Sequence, residues 1–271
     1  MKNIRNQLEK NRMKILILGA GKMGSWFAES LCLDHEVGIY DPVKERLKYL
    51  FNSHRLTSYE QFPEFHPDLL LNAVDLQHTR KVFDEVMPYL PETTILSDMA
   101  SVKNGLQDYY RASGRRFVST HPMFGPTFGN VKDLQHENAI IVSESDEEGK
   151  EFFRNFYRTY HIRIFEYSFQ QHDETIAYSL SIPFSSSIVF GSCMKELEVP
   201  GTTFKRHLEI SRGLMSEDNY LLSEILFNPF TLQQVENIHE KLDRLIRMIR
   251  GKDAAGIHHF FDDIRQNIGM K

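Results

Sequence analysis

The chain has 271 residues, enough for one large domain or two modest ones with a buried core, and its 41% hydrophobic and 25% charged content is that of a soluble globular protein. A net charge of -5 gives no general attraction to nucleic acid or an anionic membrane, so any basic surface is a local pocket. The two cysteines, Cys32 and Cys193, fall in predicted helices, which suits small buried apolar residues in a reducing compartment and supplies no metal site.

Residues 1–12, MKNIRNQLEKNR, are polar and read as a leader or a short helical extension. They lack the apolar segment of a signal peptide, and no later run reaches the ~18 to 20 apolar residues that cross a bilayer, so the expectation is a cytoplasmic protein. From Met13 strands and helices alternate, the pattern of a doubly wound parallel sheet. The organising stretch is KILILGAGKMG, residues 14–24. Ile15 to Leu18 form an unbroken apolar run, as in a parallel strand covered on both faces, and Gly19-x-Gly21-x-x-Gly24 follows at once, opening a helix over 23–33. Gly19 permits the tight turn, Gly21 lets the backbone approach a pyrophosphate, and Gly24 lets the helix pack close to the strand. Lys22 and Met23 complete the loop at the helix N-terminus, whose unpaired N–H groups attract the anion. A second strand, 36–40, ends in Asp41, an acceptor for an adenosine ribose hydroxyl and a repellent for a 2′-phosphate; the cofactor expected is therefore NAD. The competing reading is an ordinary glycine turn with a surface Asp41.

Downstream, helices are predicted over 42–52, 79–87, 102–113 and 147–160, and strands over 69–74, 94–98, 116–119, 138–143 and 162–165. Beyond Tyr167 the strand signals stop, and helices are predicted over 172–195, with Pro183 able to kink the run, and over 203–215, 219–227, 231–250 and 253–267. The expected organisation is an N-terminal extension (1–12), a Rossmann-type dinucleotide-binding domain (13–167) and an all-α domain (168–271) for substrate binding and dimerisation. Leu221, Leu222, Ile225, Leu226, Leu242, Leu245 and Ile249 offer more apolar surface than a small domain readily covers, which points to a homodimer.

Ligands of open α/β sheets bind outside the carboxyl ends of the strands. Two loops there are unusual: SDMASVKN, residues 97–104, and STHPMFGP, residues 119–126. In the second, Pro122, Gly125 and Pro126 stiffen the backbone around His121, as suits an imidazole fixed for chemistry.

Together GAGKMG, SDMASVKNG, HPMFGP and QHDETIAYSLS resemble the prephenate dehydrogenase family of tyrosine biosynthesis, above all the dehydrogenase part of bacterial enzymes that also carry a chorismate mutase domain. The resemblance runs from Met13 over nearly the whole chain. It implies NAD-dependent oxidative decarboxylation of prephenate to 4-hydroxyphenylpyruvate, with His121 as catalytic base and Ser101 as its partner; Ser101 also suits an N-cap for a helix starting at 102. His172 and Asp173 match the family's His-Asp pair and read as a structural cap or interdomain ion pair sooner than a substrate contact. The stretch FKRHLEISRGLM, 204–215, resembles the segment carrying the substrate arginine, which places Arg212 on the ring carboxylate and Lys205 or Arg206 as a second cation; a solvated helix face is the alternative. Two departures stand out: Phe184 where the family often has a histidine, and Asp75 where many members have an apolar residue or proline. Only 1–12 precede the first strand, so no mutase activity is expected. The partners expected are a small-molecule substrate and a second copy of the chain, with no nucleic acid, membrane or metal. The rival readings are an arogenate dehydrogenase, another Rossmann oxidoreductase with a helical domain, and a non-catalytic dinucleotide-sensing regulator. HPMFGP following SDMASVKNG argues against the second, and an intact Ser101 and His121 against the third.

Overall fold

A computed structural model describes residues 12–125, 133–195 and 198–270. The expectation for the N-terminal extension and the position of Pro126 lie outside them. The chain divides into two compact units, Met1–Asp173 and Glu174–Lys271.

The first unit is built on an eight-stranded sheet in the order β3-β2-β1-β4-β5-β6-β7-β8. Its strands are β1 (Lys14–Leu18), β2 (Glu36–Tyr40), β3 (His54–Leu56), β4 (Leu69–Asn72), β5 (Ile95–Asp98), β6 (Phe117–Pro122), β7 (Asn138–Val142) and β8 (Arg163–Tyr167). The longer helices of this unit are α1 (Lys22–Leu31), α2 (Thr79–Val86), α3 (Leu106–Ser113) and α4 (Glu147–Thr159), and α5 (Phe169–Ile176) carries the chain across the unit boundary. Side chains alternate across a strand, and β1 uses both faces: Ile15 and Ile17 join Phe27, Ala28 and Leu31 of α1 in one buried cluster, while Leu16 and Leu18 join Phe62, Leu70 and Phe83 in the other. Covering both faces is what makes the strand an unbroken apolar run.

The doubly wound expectation holds, with one refinement: β7 runs antiparallel to β6, and β8 returns parallel to β7. The helix expected over 42–52 is replaced by a single 3-10 turn, Lys44–Leu47, followed by the short strand β3. Leu47 and Leu50, the buried residues there, are three apart, which matches a three-residue turn better than a continuing α-helix. The helix expected from 102 begins only at Leu106, because Val102 and Lys103 are buried in an extended loop and Gly105, at φ 72°, makes the entry turn. Ser101 is therefore not the cap of α3.

The second unit is helical: the π-helical segment Ala177–Ser181, α6 (Ile182–Cys193), α7 (Thr202–Met215), α8 (Asn219–Leu226), α9 (Thr231–Gly251) and α10 (Ala254–Asn267). The π turn immediately precedes Pro183, whose missing N–H and bulky ring prevent the regular ladder from passing through. At its centre the Ser181 and Thr231 hydroxyls are 2.6 Å apart, and Thr231 also donates to the Ile225 carbonyl at 3.0 Å. Leu214, Leu222, Ile225 and Met248 are buried, but Val189, Ile210, Phe227, Leu232, Leu242 and Ile249 are exposed.

Two expectations are corrected. Cys32 is half-buried and Cys193 exposed, so neither is a fully buried core residue. The helical run Phe169–Cys193, 25 residues, is long and apolar enough to cross a bilayer by length and composition alone. Its first turns are part of the α/β unit, where Phe169 packs in the core and His172 is buried.

Candidate active site

The carboxyl ends of β1, β2, β4, β5 and β6 carry the loops singled out in the sequence. At the glycine turn, Gly19 adopts φ 93° and its N–H donates to the Tyr40 carbonyl at 2.8 Å. A Cβ on Gly24 would lie 1.9 Å from the Gly19 carbonyl oxygen, so α1 reaches this turn only without a side chain there. A Cβ on Gly21 would meet nothing within 4 Å. That open space lies at the N-cap of α1, where no side chain caps the first turn and its N–H groups remain available to an anion. The turn thus fits a dinucleotide pyrophosphate. Lys22 is exposed beside it, and Met23 packs against the core.

Asp41 is buried, and it holds the turn in shape. One carboxylate oxygen accepts from the Ala20 N–H at 2.8 Å and the other from the Val43 N–H at 2.8 Å, with the Arg46 guanidinium 3.4 Å away. The sequence reading gave Asp41 a ligand role or, in the competing reading, a plain surface position; its burial removes the second, and the structure adds this bracing of the glycine loop.

A polar network lies under the other two loops. Asp98 ends β5, and its Oδ1 accepts from the Ala100 N–H at 3.0 Å and from Lys103 Nζ at 2.5 Å, while Oδ2 accepts from the Tyr110 hydroxyl at 2.7 Å. Lys103 Nζ also donates to the Thr120 carbonyl at 2.8 Å, and both members of the ion pair have fully buried side chains. Burial pulls the Lys103 ammonium below its usual range and Asp98 opposes that pull. In this way a lysine from the β5–α3 loop ties that loop to β6, one residue before His121. Ser101, half-buried, lies between Asp98 and Lys103 on this tied loop; among the described residues no hydrogen bond joins it to His121.

His121 sits beyond the end of β5, whose pairing with β6 stops at Asp98 opposite Ser119. The overhanging part of β6 is held by β7, with His121 opposite Ile140. The Thr120 hydroxyl donates to the Ile140 carbonyl at 2.9 Å and lies 2.8 Å from the Tyr157 hydroxyl. Phe124, three residues on, is buried edge-on against Trp26 of α1, with ring centroids 5.5 Å apart. The histidine loop is thereby fastened to the helix that opens the glycine turn.

The sequence reading treated His172 and Asp173 as a cap or an interdomain ion pair. Instead they continue from His121 inside the α/β unit: His121 Nδ1 is 3.0 Å from His172 Nε2, and His172 Nδ1 is 3.0 Å from an Asp173 oxygen. Donors and acceptors fix the tautomers. The Asp173 carboxylate accepts, so His172 carries its proton on Nδ1; His172 Nε2 then accepts from His121 Nδ1–H, and His121 is left with a bare Nε2. Burial pushes the His121 imidazole well below its ordinary value, and His172 and Lys103 add to the effect. Burial, with help from Lys103, lowers His172 to about 3. It pushes Asp173 up to about 6, against the pull of the Lys103 ammonium and backbone N–H. At neutral pH the arrangement is two neutral imidazoles ending in a carboxylate, with a hydrogen-bond acceptor at His121 Nε2.

The other candidates belong to the second unit. Lys205, Arg206 and Arg212 are exposed on α7, and Phe184 is half-buried on α6. Lys205 and Arg212 are seven apart and so share one side of a helix with 3.6 residues per turn, whereas Arg206 lies about 100° round the helix from Lys205 and about 120° from Arg212. Asp75 is exposed in the loop after β4. Sequence reasoning missed Lys103, Thr120, Tyr110 and Tyr157. The one available signal was the pair of opposite charges, Asp98 and Lys103, five apart in one short loop.

Residues 44–161 match the prephenate dehydrogenase nucleotide-binding domain, a span that takes in Ser101, Lys103 and His121. The probable arogenate/prephenate dehydrogenase of Methanocaldococcus jannaschii is 21% identical over 284 residues, covering 94% of this chain and 61% of that protein. The chain thus spans less than two thirds of that relative's length. Among solved structures, the prephenate dehydrogenase of A. aeolicus in complex with hydroxyphenyl propionate and NAD+ matches with a TM-score of 0.80 at 18% identity, over 96% of this chain and 98% of that one. Synechocystis arogenate dehydrogenase matches with a TM-score of 0.72 at 16% identity, over 95% and 99%. Both likenesses are of fold.

Proposed function

We propose that the chain is a member of the prephenate dehydrogenase family and that it catalyses the NAD-dependent oxidative decarboxylation of prephenate to 4-hydroxyphenylpyruvate. The observation that carries this reading is the hydrogen-bonded row Asp173, His172, His121, which leaves an unprotonated imidazole nitrogen at the carboxyl edge of a sheet that also bears a dinucleotide-type glycine turn. Prephenate carries a secondary alcohol at ring C4 and a carboxylate at C1. Its oxidation removes the C4 hydrogen as hydride and the hydroxyl hydrogen as a proton, and loss of CO2 from C1 restores aromaticity.

In this mechanism the Gly19–Gly24 turn and the start of α1, with Lys22 and Met23, bind the pyrophosphate, and Asp41 accepts from the adenosine ribose. When bound, NAD supplies the acceptor for the hydride. His121 Nε2 accepts the hydroxyl proton, a contribution worth about 10²- to 10⁴-fold for general bases of this kind. Ser101 orients the hydroxyl or the imidazole. Arg212 grips the ring carboxylate through its guanidinium fork, with Lys205 or Arg206 as the second cation. The exposed apolar residues of the helical unit are the surface of a homodimer, and the enzyme is cytoplasmic.

The test is NADH absorbance on mixing the purified protein with NAD and prephenate, with arogenate in a parallel reaction. The expected result is NADH formation with prephenate at the higher kcat/KM, and a much lower rate with NADP. Preference for arogenate would reassign the substrate, and no turnover with either would overturn the reading. Light scattering is expected to give twice the chain mass; a monomer at micromolar concentration would remove the dimer.

A further inference from the structure

The row of buried groups behind His121 does more than aim an imidazole. We propose that His121, His172 and Asp173 form a reversible proton store, in which a proton moves outward to Asp173 while the substrate's C4 carbon is oxidised and returns when the ring becomes aromatic. The inference rests on the dehydrogenase reading above.

The chemistry calls for such a device. In the overall conversion a C4 alcohol becomes a phenol, so the hydroxyl proton taken at the start is given back at the end and none is released. While it is away from the substrate, that proton must be held in a place the protein tolerates. His121 itself is a poor place: it is buried, and the Lys103 ammonium, paired with Asp98, lies beneath the same loop. An imidazolium there would be a second buried cation without a counter-ion in contact. Two hydrogen bonds of 3.0 Å lead from His121 to a carboxylate whose side chain is 16% exposed.

The step balances atom by atom. As hydride leaves C4, the hydroxyl proton bonds to His121 Nε2. The proton on His121 Nδ1 passes to His172 Nε2, and the proton on His172 Nδ1 passes to the Asp173 oxygen. Both rings are again neutral, now in their other tautomers, and the carboxylate has become a carboxylic acid. Loss of CO2 from C1 sends its bonding pair through the ring and leaves O4 as a phenolate. O4 takes the proton from His121 Nε2, and the two inner protons shift back. His172 and Asp173 act through His121 and are positioning and relay residues, with His121 the group that touches substrate. Burial suits Asp173 to this exchange, since a carboxylate raised to about 6 accepts a proton far more readily than an exposed one.

The variant Asp173→Asn separates relay from simple orientation. Asparagine keeps an oxygen to accept from His172 Nδ1–H, so the imidazoles stay aimed, but it takes no proton. The proposal expects kcat to fall about tenfold or more with KM within about threefold. It expects the acid limb of kcat near pH 6 to disappear, and Asp173→Glu to recover much of the rate. In mixtures of H2O and D2O, wild-type kcat should follow a curved dependence on deuterium fraction, reporting several protons in flight, and the asparagine variant a linear one. Asp173→Asn with near wild-type kcat and an unchanged acid limb would overturn the proposal, as would a linear wild-type dependence. If the variant does not fold, the wild-type isotope curve still decides. A readout independent of turnover is ¹⁵N imidazole NMR of the intact protein near pH 7, with signals assigned through His121→Asn and His172→Gln. Both rings should carry the proton on Nδ1, and Nε2–H on either would refute the relay. Absence of turnover with prephenate and arogenate would instead refute the dehydrogenase reading and leave the tautomer result to judge the row itself.

Discussion

Replacing Lys103 by methionine removes a charge from the buried pair while keeping nearly the same side-chain volume, so the cost reports electrostatics and hydrogen bonding and little of it a cavity. Asp98 would then be a buried carboxylate retaining only the Tyr110 hydroxyl and the Ala100 N–H, and the Thr120 carbonyl would lose its lysine donor. Breaking a buried pair in this way costs about 3–5 kcal/mol. For a unit of this size that lowers Tm by about 6–20 °C, at ~2–4 °C per kcal/mol. The double variant Lys103→Met/Asp98→Asn removes both charges and should regain at least ~2 kcal/mol of the single-variant loss. Urea unfolding followed by circular dichroism measures all the species. A loss below ~1 kcal/mol for Lys103→Met, or a double variant no more stable than the single one, would show that the pair is not the coupled buried charge described here.

The glycine turn gives two contrasting variants: Gly24→Ala forces a Cβ onto the Gly19 carbonyl and should destabilise the fold, whereas Gly21→Val projects into open space and should leave the Tm nearly unchanged while abolishing NAD binding by calorimetry. His172 is held at about 3, so its neutral form is the one folding keeps; stability present above about pH 6.5 is lost as pH falls toward 3, by about 3 kcal/mol at pH 4.5. His172→Gln should lack that share of the acid loss, measured as the shift in urea midpoint between pH 7 and 4.5, while parallel shifts in the two proteins would contradict it. Arg212→Ala should raise KM for prephenate about tenfold or more with a smaller change in kcat, because a carboxylate grip acts on ground and transition states alike. A change confined to kcat would remove Arg212 from substrate binding.

Much of the fold was legible because local signals and tertiary roles coincide: Ile15 to Leu18 are apolar on both faces because both faces are covered, and β2 spans the residues 36–40 that the pattern assigned it. Misreadings arose where a buried side chain overrode local propensity. Residues 102–105 look helical, yet Val102 and Lys103 are drawn into the interior and delay α3 until Gly105 turns the chain. His121 was legible from the stiff loop around it. Its link to His172, 51 residues away, was not, since a contact between two elements leaves no periodicity in either. The same burial that hides the link lowers the His121 imidazole and pushes Asp173 up to about 6.

The central claim, that His121 Nε2 takes the hydroxyl proton as C4 is oxidised, is tested most directly by the kcat of His121→Asn with NAD and prephenate, alongside NAD affinity of the same preparation. The account predicts a fall in kcat of about 10²-fold or more with NAD affinity unchanged within about threefold, since the lost interaction belongs to the transition state and the dinucleotide rests on the glycine turn. Nearly full kcat in His121→Asn would make the imidazole a structural member of its loop and contradict the account.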